Sequence, residues 1–249
     1  KRCYPPLTPS LLGKQVASDA VEAVDRVLGN AEEVAGPGGA DSTLWLSAKQ
    51  HKALEDALLD MAHGEHIALI GPAGGGKSVI AQRVAPYHLL QTCHRDLTAR
   101  DLLQSRATDE TSGASVWRDA PVIQAMRNGA CVVLDGAHRL PRGVLSAALS
   151  RALHDGVVDL PDGSRLEAAD GFRVVAVAEP GAWLADGDVA ACFSAHFITD
   201  WEDLNDVRAA LAHLVPALAT QDADALAATA VASRNDGDAA TRLSARSLL

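Results

Sequence analysis

Residues 66–85 read HIALIGPAGGGKSVIAQRVA. A short apolar run, HIALI, meets glycine at once. The eight residues Gly71, Pro72, Ala73, Gly74, Gly75, Gly76, Lys77 and Ser78 fit the spacing G-x-x-x-x-G-K-[ST]. The physics requires these residue types. Backbone N–H groups that wrap phosphate oxygens at close range leave no room for side chains, so glycine suits. Lys77 brings a positive charge to the terminal phosphates, and Ser78 offers a hydroxyl to Mg²⁺. The amphipathic stretch that follows predicts a helix whose positive end faces the phosphates. The bland alternative is a glycine-rich turn. From average composition, a chance match in a chain of 249 residues is on the order of 1%. The strand–loop–helix context therefore predicts binding of ATP or ADP with Mg²⁺.

Outward from this loop, CVVLDGAHRL at 131–140 sets four apolar residues before Asp135. A carboxylate at such a strand end can hold the Mg²⁺ water shell. The next position, where a water-activating glutamate is expected, is Gly136. On this reading Gly136→Glu is expected to restore a base and raise turnover modestly. His138, three residues past Asp135, is a weak candidate to approach a γ-phosphate; the favoured reading is a solvated loop residue or an interface contact.

Further apolar runs are LLQTC at 89–93, FRVVAVA at 172–178 and, more weakly, FIT at 197–199. Helical patterns separate most of them. This alternation predicts an α/β fold, a parallel sheet with helices on both faces. VVDLPDGSRL at 157–166 carries strand-like arms around Pro-Asp-Gly and predicts a hairpin. Ser47 reads as the N-cap of a helix bearing Leu54, Leu58 and Met61. VASDAVEAVDRVL at 16–28 reads as another helix, and AGPGGADS at 35–42 as a break. From residue 203 the chain is rich in Ala and Leu, with breaks at Pro216 and NDGD, and predicts a small all-helical domain.

Bulk composition narrows the function. The chain is 48% hydrophobic and 22% charged, as in soluble globular proteins, and its net charge of −10 disfavours nucleic acid as a partner. No apolar run reaches the ~20 residues of a membrane span. Cys3, Cys93, Cys131 and Cys192 form no C-x-x-C pair and read as reduced thiols. His88, Cys93 and His94 lack a fourth ligand at a metal-site spacing. His63 and His66 carry no signal, and Arg139 and Arg142 read as a solvated rim.

The phosphate loop, the hairpin before FRVVAVA and the trailing helices resemble the dynein-related branch of AAA+ ATPases, which includes midasin and MoxR-type proteins. DLTARDLLQSR (96–106), VWRDAPVIQAM (116–126), LDGAHRLPRGVL (134–145), LHDGVVDLPDGSRL (153–166), FRVVAVAEP (172–180) and LSARSLL (243–249) are similar to the second AAA+ module of the von Willebrand factor A domain-containing protein 8 family. The resemblance implies a P-loop three-layer αβα domain at 47–202 and a partial helical lid at 203–249. It also implies a linker at 30–46 and, at 1–29, the helical tail of a preceding module. In that module Asp-Gly in place of Asp-Glu is itself the pattern. The resemblance further implies that Asp135 and Arg246 serve the reaction, Arg246 from the lid toward the γ-phosphate. Glu179 stands where the family carries a polar Asn or Thr, and His196 stands near the position of an arginine finger. Neighbouring AAA+ modules, a von Willebrand A domain elsewhere in the full-length protein, and a mitochondrial matrix location (bacterial cytoplasm for bacterial relatives) are implied too.

Three functions compete at this point: an ATPase module, a module that holds nucleotide as a structural ligand in a ring, and a small-molecule kinase. The kinase reading lacks a recognisable acceptor site. A finger alone is worth roughly 10³–10⁵ in rate in related phosphoryl-transfer enzymes. Without glutamate and finger, binding is expected to persist and turnover to be weak.

Overall fold

The computed structural model describes residues 46–109, 111, 113–180, 187–199, 204–214 and 220–235. The chain divides before Trp45 into two units, and all described residues lie in the second. The helix expected at 16–28, the break at 35–42, Pro216 and Arg246 lie outside the described residues.

Helix α1 (Ala48–His63) starts at the expected Ser47, whose hydroxyl accepts from the Gln50 N–H. It ends where Gly64 takes a left-handed conformation. Strand β1 (His66–Ile70) leads into α2 (Lys77–Val84), and β2 (His88–Thr92) follows. Beyond β2 the chain forms an antiparallel hairpin, β3 (Gln104–Thr108) with β4 (Ser115–Asp119). Then come α3 (Pro121–Asn128), β5 (Cys131–Asp135), a single 3₁₀ turn and α4 (Val144–His154). The hairpin read at 157–166 is β6 (Val157–Asp159) with β7 (Arg165–Glu167). Strand β8 (Arg173–Ala178), α5 (Gly187–Ala190), β9 (Phe193–Phe197), α6 (Leu204–Leu214) and α7 (Thr220–Asn235) complete the series.

The five-stranded sheet runs β2-β5-β8-β1-β9, and every pairing in it is parallel. Its alternation builds two layers of core. Ala68, Ile70, Val132, Leu134, Val174, Ala176 and Ala178 pack in one cluster with Val122, Ile123 and Met126 of α3 and Leu145 and Leu149 of α4. The residues between them, Ile67, Leu69, Val133, Val175 and Val177, are buried as well and face the opposite layer. There α1 and α2 pack against β1 and contribute Leu54, Ala57, Leu58 and Ile80. This is the expected three-layer αβα arrangement.

Two sequence expectations change. The fifth strand is Phe193–Phe197, and the FIT stretch contributes only its first residue, Phe197. FSAHF reads weakly because an edge strand alternates buried and partly exposed residues. The hairpin β3–β4 was not expected at all. QSRAT and SVWRD lack an apolar stripe because neither arm enters the main core. Their cross-strand pair Arg106–Trp117 is stabilised by stacking instead, with the Arg106 and Arg100 guanidiniums 4.9 and 5.1 Å from the indole. The two hairpins are joined by Gln104, 2% exposed. Its amide donates to Asp119 (2.8 Å) and Asp162 (3.0 Å), and its oxygen accepts from the Asp162 N–H (3.1 Å).

Helices α6 and α7 pack on each other through Val207, Ala210, Leu211, Ala227 and Ala230, with an Arg208–Asp224 ion pair of 2.6 Å alongside.

Candidate functional site

Ligands in open parallel sheets bind beyond the carboxyl ends of the strands. Three such ends converge here: β1 at Ile70, β8 at Ala178 and β5 at Asp135. Strand β8 lies between the other two.

At the end of β1 the chain enters the glycine-rich loop under close constraint. The Gly71 N–H donates to the Ala178 carbonyl (3.2 Å), and a Cβ at Gly71 would lie 2.2 Å from the Ile198 carbonyl oxygen. Glycine is therefore required at 71 by the neighbouring chain. The loop turns through Gly74 and Gly76, both with positive φ, and α2 begins at Lys77. Lys77 is only 8% exposed; its ammonium donates to the carbonyls of Gly71 (2.9 Å) and Pro72 (2.6 Å). The cation thus sits inside the concavity of its own loop.

A residue that sequence reading missed supports this loop from outside. Gln50, 2% exposed, donates from Nε2 to the Gly75 carbonyl (2.9 Å) while its Oε1 accepts from the Ser47 N–H (2.9 Å). The signal was present as S-x-x-Q, a capping box. A cap spacing says nothing about the far end of the glutamine.

The loop fits a polyphosphate. The first turn of a helix leaves amide donors without intrahelical partners, and here they open onto a loop with a buried ammonium and no side chain on four of its eight residues. The backbone of Gly74 to Ser78 and Lys77 are the groups that would hold phosphate. Ser78, next on α2, and Asp135 are those that would hold Mg²⁺.

Beside Asp135 the geometry explains the missing glutamate. Gly136 has φ +75°, the left-handed region, and turns the chain out of β5 into the 3₁₀ turn Ala137–Arg139. A Cβ there would meet Arg139 Cδ at 3.2 Å and the Cys93 carbonyl oxygen at 3.4 Å. The expected gain from Gly136→Glu is thereby withdrawn, because a side chain at 136 is strained whatever its chemistry. Cys93 is fully buried and donates its N–H to the Asp135 carbonyl (2.8 Å). Burial, with Asp135 adding to it and Arg139 opposing, pushes its thiol up to about 12. It is an inert packing group.

Opposite Gly136 stands a His–Glu pair. Arg95, His138, Arg139, Leu140, Pro141 and Glu179 line a cavity of about 750 Å³. The Glu179 N–H donates to His138 Nδ1 (3.2 Å), and His138 Nε2 lies 3.6 Å from Glu179 Oε1. The His138 side chain is 17% exposed, so the reading of it as a solvated loop residue is corrected. Desolvation lowers its pKa; Glu179 and Asp135 oppose that shift, and Arg139 and Lys77 add to it. The imidazole is therefore neutral at pH 7. With Nδ1 accepting from an amide, its proton is on Nε2, toward the carboxylate. Neither nitrogen is then available to take a proton from water.

The remaining candidates lie elsewhere. His196 is not turned outward as a finger would be. Its Nε2 is 3.0 Å from Asp60 of α1, which also accepts from the Ser194 hydroxyl. His88 contacts the Ala85 carbonyl, and no cluster of three metal-ligating side chains exists among the described residues. His66, without a signal in the sequence, is a packed part of the core. It accepts from the Val174 N–H (3.2 Å) and stands edge-on to Phe172. Burial first, then Arg173, lower its pKa from 6.5 to about 4, against a backbone hydrogen bond at Leu153. No described helix is long and apolar enough to cross a membrane.

Comparison with known proteins agrees with this architecture. Over 136 residues the chain is 40% identical to mouse von Willebrand factor A domain-containing protein 8, covering 51% of this chain and 7% of that protein. Protein NorQ of Paracoccus denitrificans is 31% identical over 154 residues, covering 59% of this chain and 54% of NorQ. The chain thus spans about half of NorQ and a small part of the mouse protein. A solved structure from Cytophaga hutchinsonii, provisionally assigned as an ATPase, superposes with a TM-score of 0.55 at 15% identity, covering 80% of this chain and 57% of that one. That likeness bears on the fold. Residues 66–191, half of the chain, match the AAA domain of the dynein-related subfamily, and the chain belongs to that family.

Proposed function

We propose that this chain is an ATP-binding AAA+ module of a multi-module dynein-related ATPase, with slow turnover of its own. The observation that carries this reading is Lys77, a buried ammonium enclosed by a glycine loop at the head of a helix. Ser78 and Asp135 hold Mg²⁺, which supplies charge neutralisation at the phosphates when bound. Turnover is weak because position 136 carries no glutamate and His196 is turned inward. The family resemblance assigns Arg246, outside the described residues, a role toward the γ-phosphate. Similarity to the mouse protein supports neighbouring AAA+ modules as partners and a von Willebrand A domain elsewhere in the full-length chain.

A second reading is favoured by the Gly136 conformation: a module that keeps nucleotide as a permanent structural ligand and sets ring geometry. The nucleotide retained after gentle purification distinguishes the two. Retained ADP, exchangeable for ATP and slowly regenerated, supports turnover. Retained ATP that persists for hours supports the structural role. A protein that neither retains nor binds nucleotide in calorimetric titration refutes both. Arg246→Ala is expected to narrow the ATP/ADP affinity ratio while leaving ADP binding nearly unchanged.

A further inference from the structure

We propose that Glu179 is the base that activates the attacking water, so that the carboxylate absent at position 136 is supplied from the neighbouring strand and oriented by His138. This rests on the nucleotide-binding reading above and goes beyond it by naming the group that performs the chemistry.

The strand register carries the argument. Asp135 on β5 is level with Val177 on β8, and Ile70 on β1 is level with Ala178. Continuing one step, Glu179 leaves the sheet level with Gly71, the first residue of the phosphate loop. Gly136 is level with Ala178 by the same register. Glu179 is therefore one residue further along and one strand across from position 136. From strand dimensions that is a backbone separation of about 6 Å. Continued alternation along β8 gives Glu179 the face of Val177, which is level with Asp135, the magnesium side of the site. The strand carrying Glu179 also runs between β1 and β5, so its end lies between the phosphate loop and the Asp135 side of the site. The Gly71 N–H bonded to the Ala178 carbonyl fixes that backbone to the loop.

The backbone of Glu179 is tied to His138. The Glu179 N–H donates to His138 Nδ1 (3.2 Å), and Oε1 lies 3.6 Å from Nε2, beyond direct hydrogen-bond reach, so the imidazole flanks the carboxylate. The Glu179 side chain is 41% exposed and lines the cavity. A carboxylate flanked by an imidazole and open to the cavity suits a base for water. His138 is not that base, since Nδ1 accepts from the Glu179 N–H and Nε2 then carries the proton, and it acts as a positioning residue.

The step balances without an added reactant. The water oxygen forms a bond to Pγ as the bond between Pγ and the β–γ bridging oxygen breaks, and ADP leaves with that electron pair. The water proton passes to Glu179 and is returned to phosphate or solvent. Repulsion between Glu179 and the γ-phosphate is the opposing effect. It is relieved if a water separates them, which is the geometry the mechanism requires.

The test uses the chain with Glu179→Gln, His138→Ala and His138→Asn, each measured for ATP and ADP affinity by calorimetry and for single-turnover hydrolysis. Wild type is expected to bind ATP and to hydrolyse it slowly but measurably. Glu179→Gln is expected to bind ATP within about threefold of wild type and to lose at least ~10²-fold in turnover, the usual worth of a positioned base. His138→Ala is expected to lower turnover about tenfold at unchanged affinity, and His138→Asn, which can still accept from the amide and donate to the carboxylate, to recover part of it. A merely structural role for His138 would move affinity and turnover together. Intact binding with unchanged turnover in Glu179→Gln, or binding by wild type with no hydrolysis at all, overturns this inference alone. So does a Glu179→Gln variant that only gains affinity for ATP over ADP, which would make Glu179 a repeller of the γ-phosphate. Failure of wild type to bind nucleotide overturns the underlying reading as well.

Discussion

The Nε2 amide of Gln50 donates a 2.9 Å hydrogen bond to the carbonyl of Gly75 across 25 residues of chain, so the cap of α1 and the phosphate loop share one side chain. Gln50→Ala removes the Gly75 bond and half of the capping box together, leaving buried partners unpaired at a cost of about 1–3 kcal/mol. It is expected to lower both the melting temperature and ATP affinity. Ser47→Ala removes only the cap, worth ~1 kcal/mol, and is expected to lower the melting temperature at unchanged ATP affinity. Thermal melts and calorimetry on the pair separate the two contributions.

Lys77→Ala is expected to abolish measurable ATP binding, since it deletes the cation at the phosphates. Cys93→Ala, a change in a buried thiol beside Asp135, is expected to leave affinity within a few-fold and to cost a little stability. Calorimetric titration of both variants checks this. Wild-type affinity in Lys77→Ala would sink the phosphate-loop assignment.

Gly136→Glu is expected to destabilise the chain and to give no gain in turnover. A non-glycine residue in the left-handed region costs roughly 1–2 kcal/mol, before any displacement of Arg139. Gly136→Asn, which tolerates that region better, is expected to lie between. Urea unfolding ranks the three chains, and a stable Gly136→Glu with faster hydrolysis would show that the turn can open.

His66 predicts an acid-sensitive core. Its folded pKa of about 4 lies below its ordinary 6.5, so between those values the unfolded chain binds more protons than the folded one. Stability is then full above 6.5 and falls as the pH drops toward 4, by about 2 kcal/mol at pH 5. His66→Gln, which can still accept from Val174, is expected to flatten the urea midpoint between pH 7 and pH 5, whatever its stability at pH 7.

The parts legible in the sequence were those whose residue types have a single physical use. GPAGGGKS needs its glycines for close approach, and VVDLPDGSRL announces its turn. The strands HIALI and FRVVAVA were legible because both faces of an inner parallel strand are buried. What escaped was carried by relations between distant residues. Trp117 and Arg106 make a strand pair out of polar segments, and nothing local in either announces it. Glu179 read only as a departure from the family's Asn or Thr until register set it one strand from Gly136. His138 read as solvated because its partner lies 41 residues on.

Gln104 bridges the two hairpins across 58 residues, and each end of its buried amide is occupied. It works as a latch. The turn at Asp162 cannot swing away from the root of β3–β4 without stranding a buried amide, at about 1–3 kcal/mol. The two arms must therefore tilt as one stiff lever. The Ala120 N–H on the Leu103 carbonyl, 2.9 Å, fastens the foot of that lever to the head of α3, which packs against β2 and β5. A load applied at the hairpin turn is thus borne by β2 and by its neighbour β5, the strand that ends in Asp135.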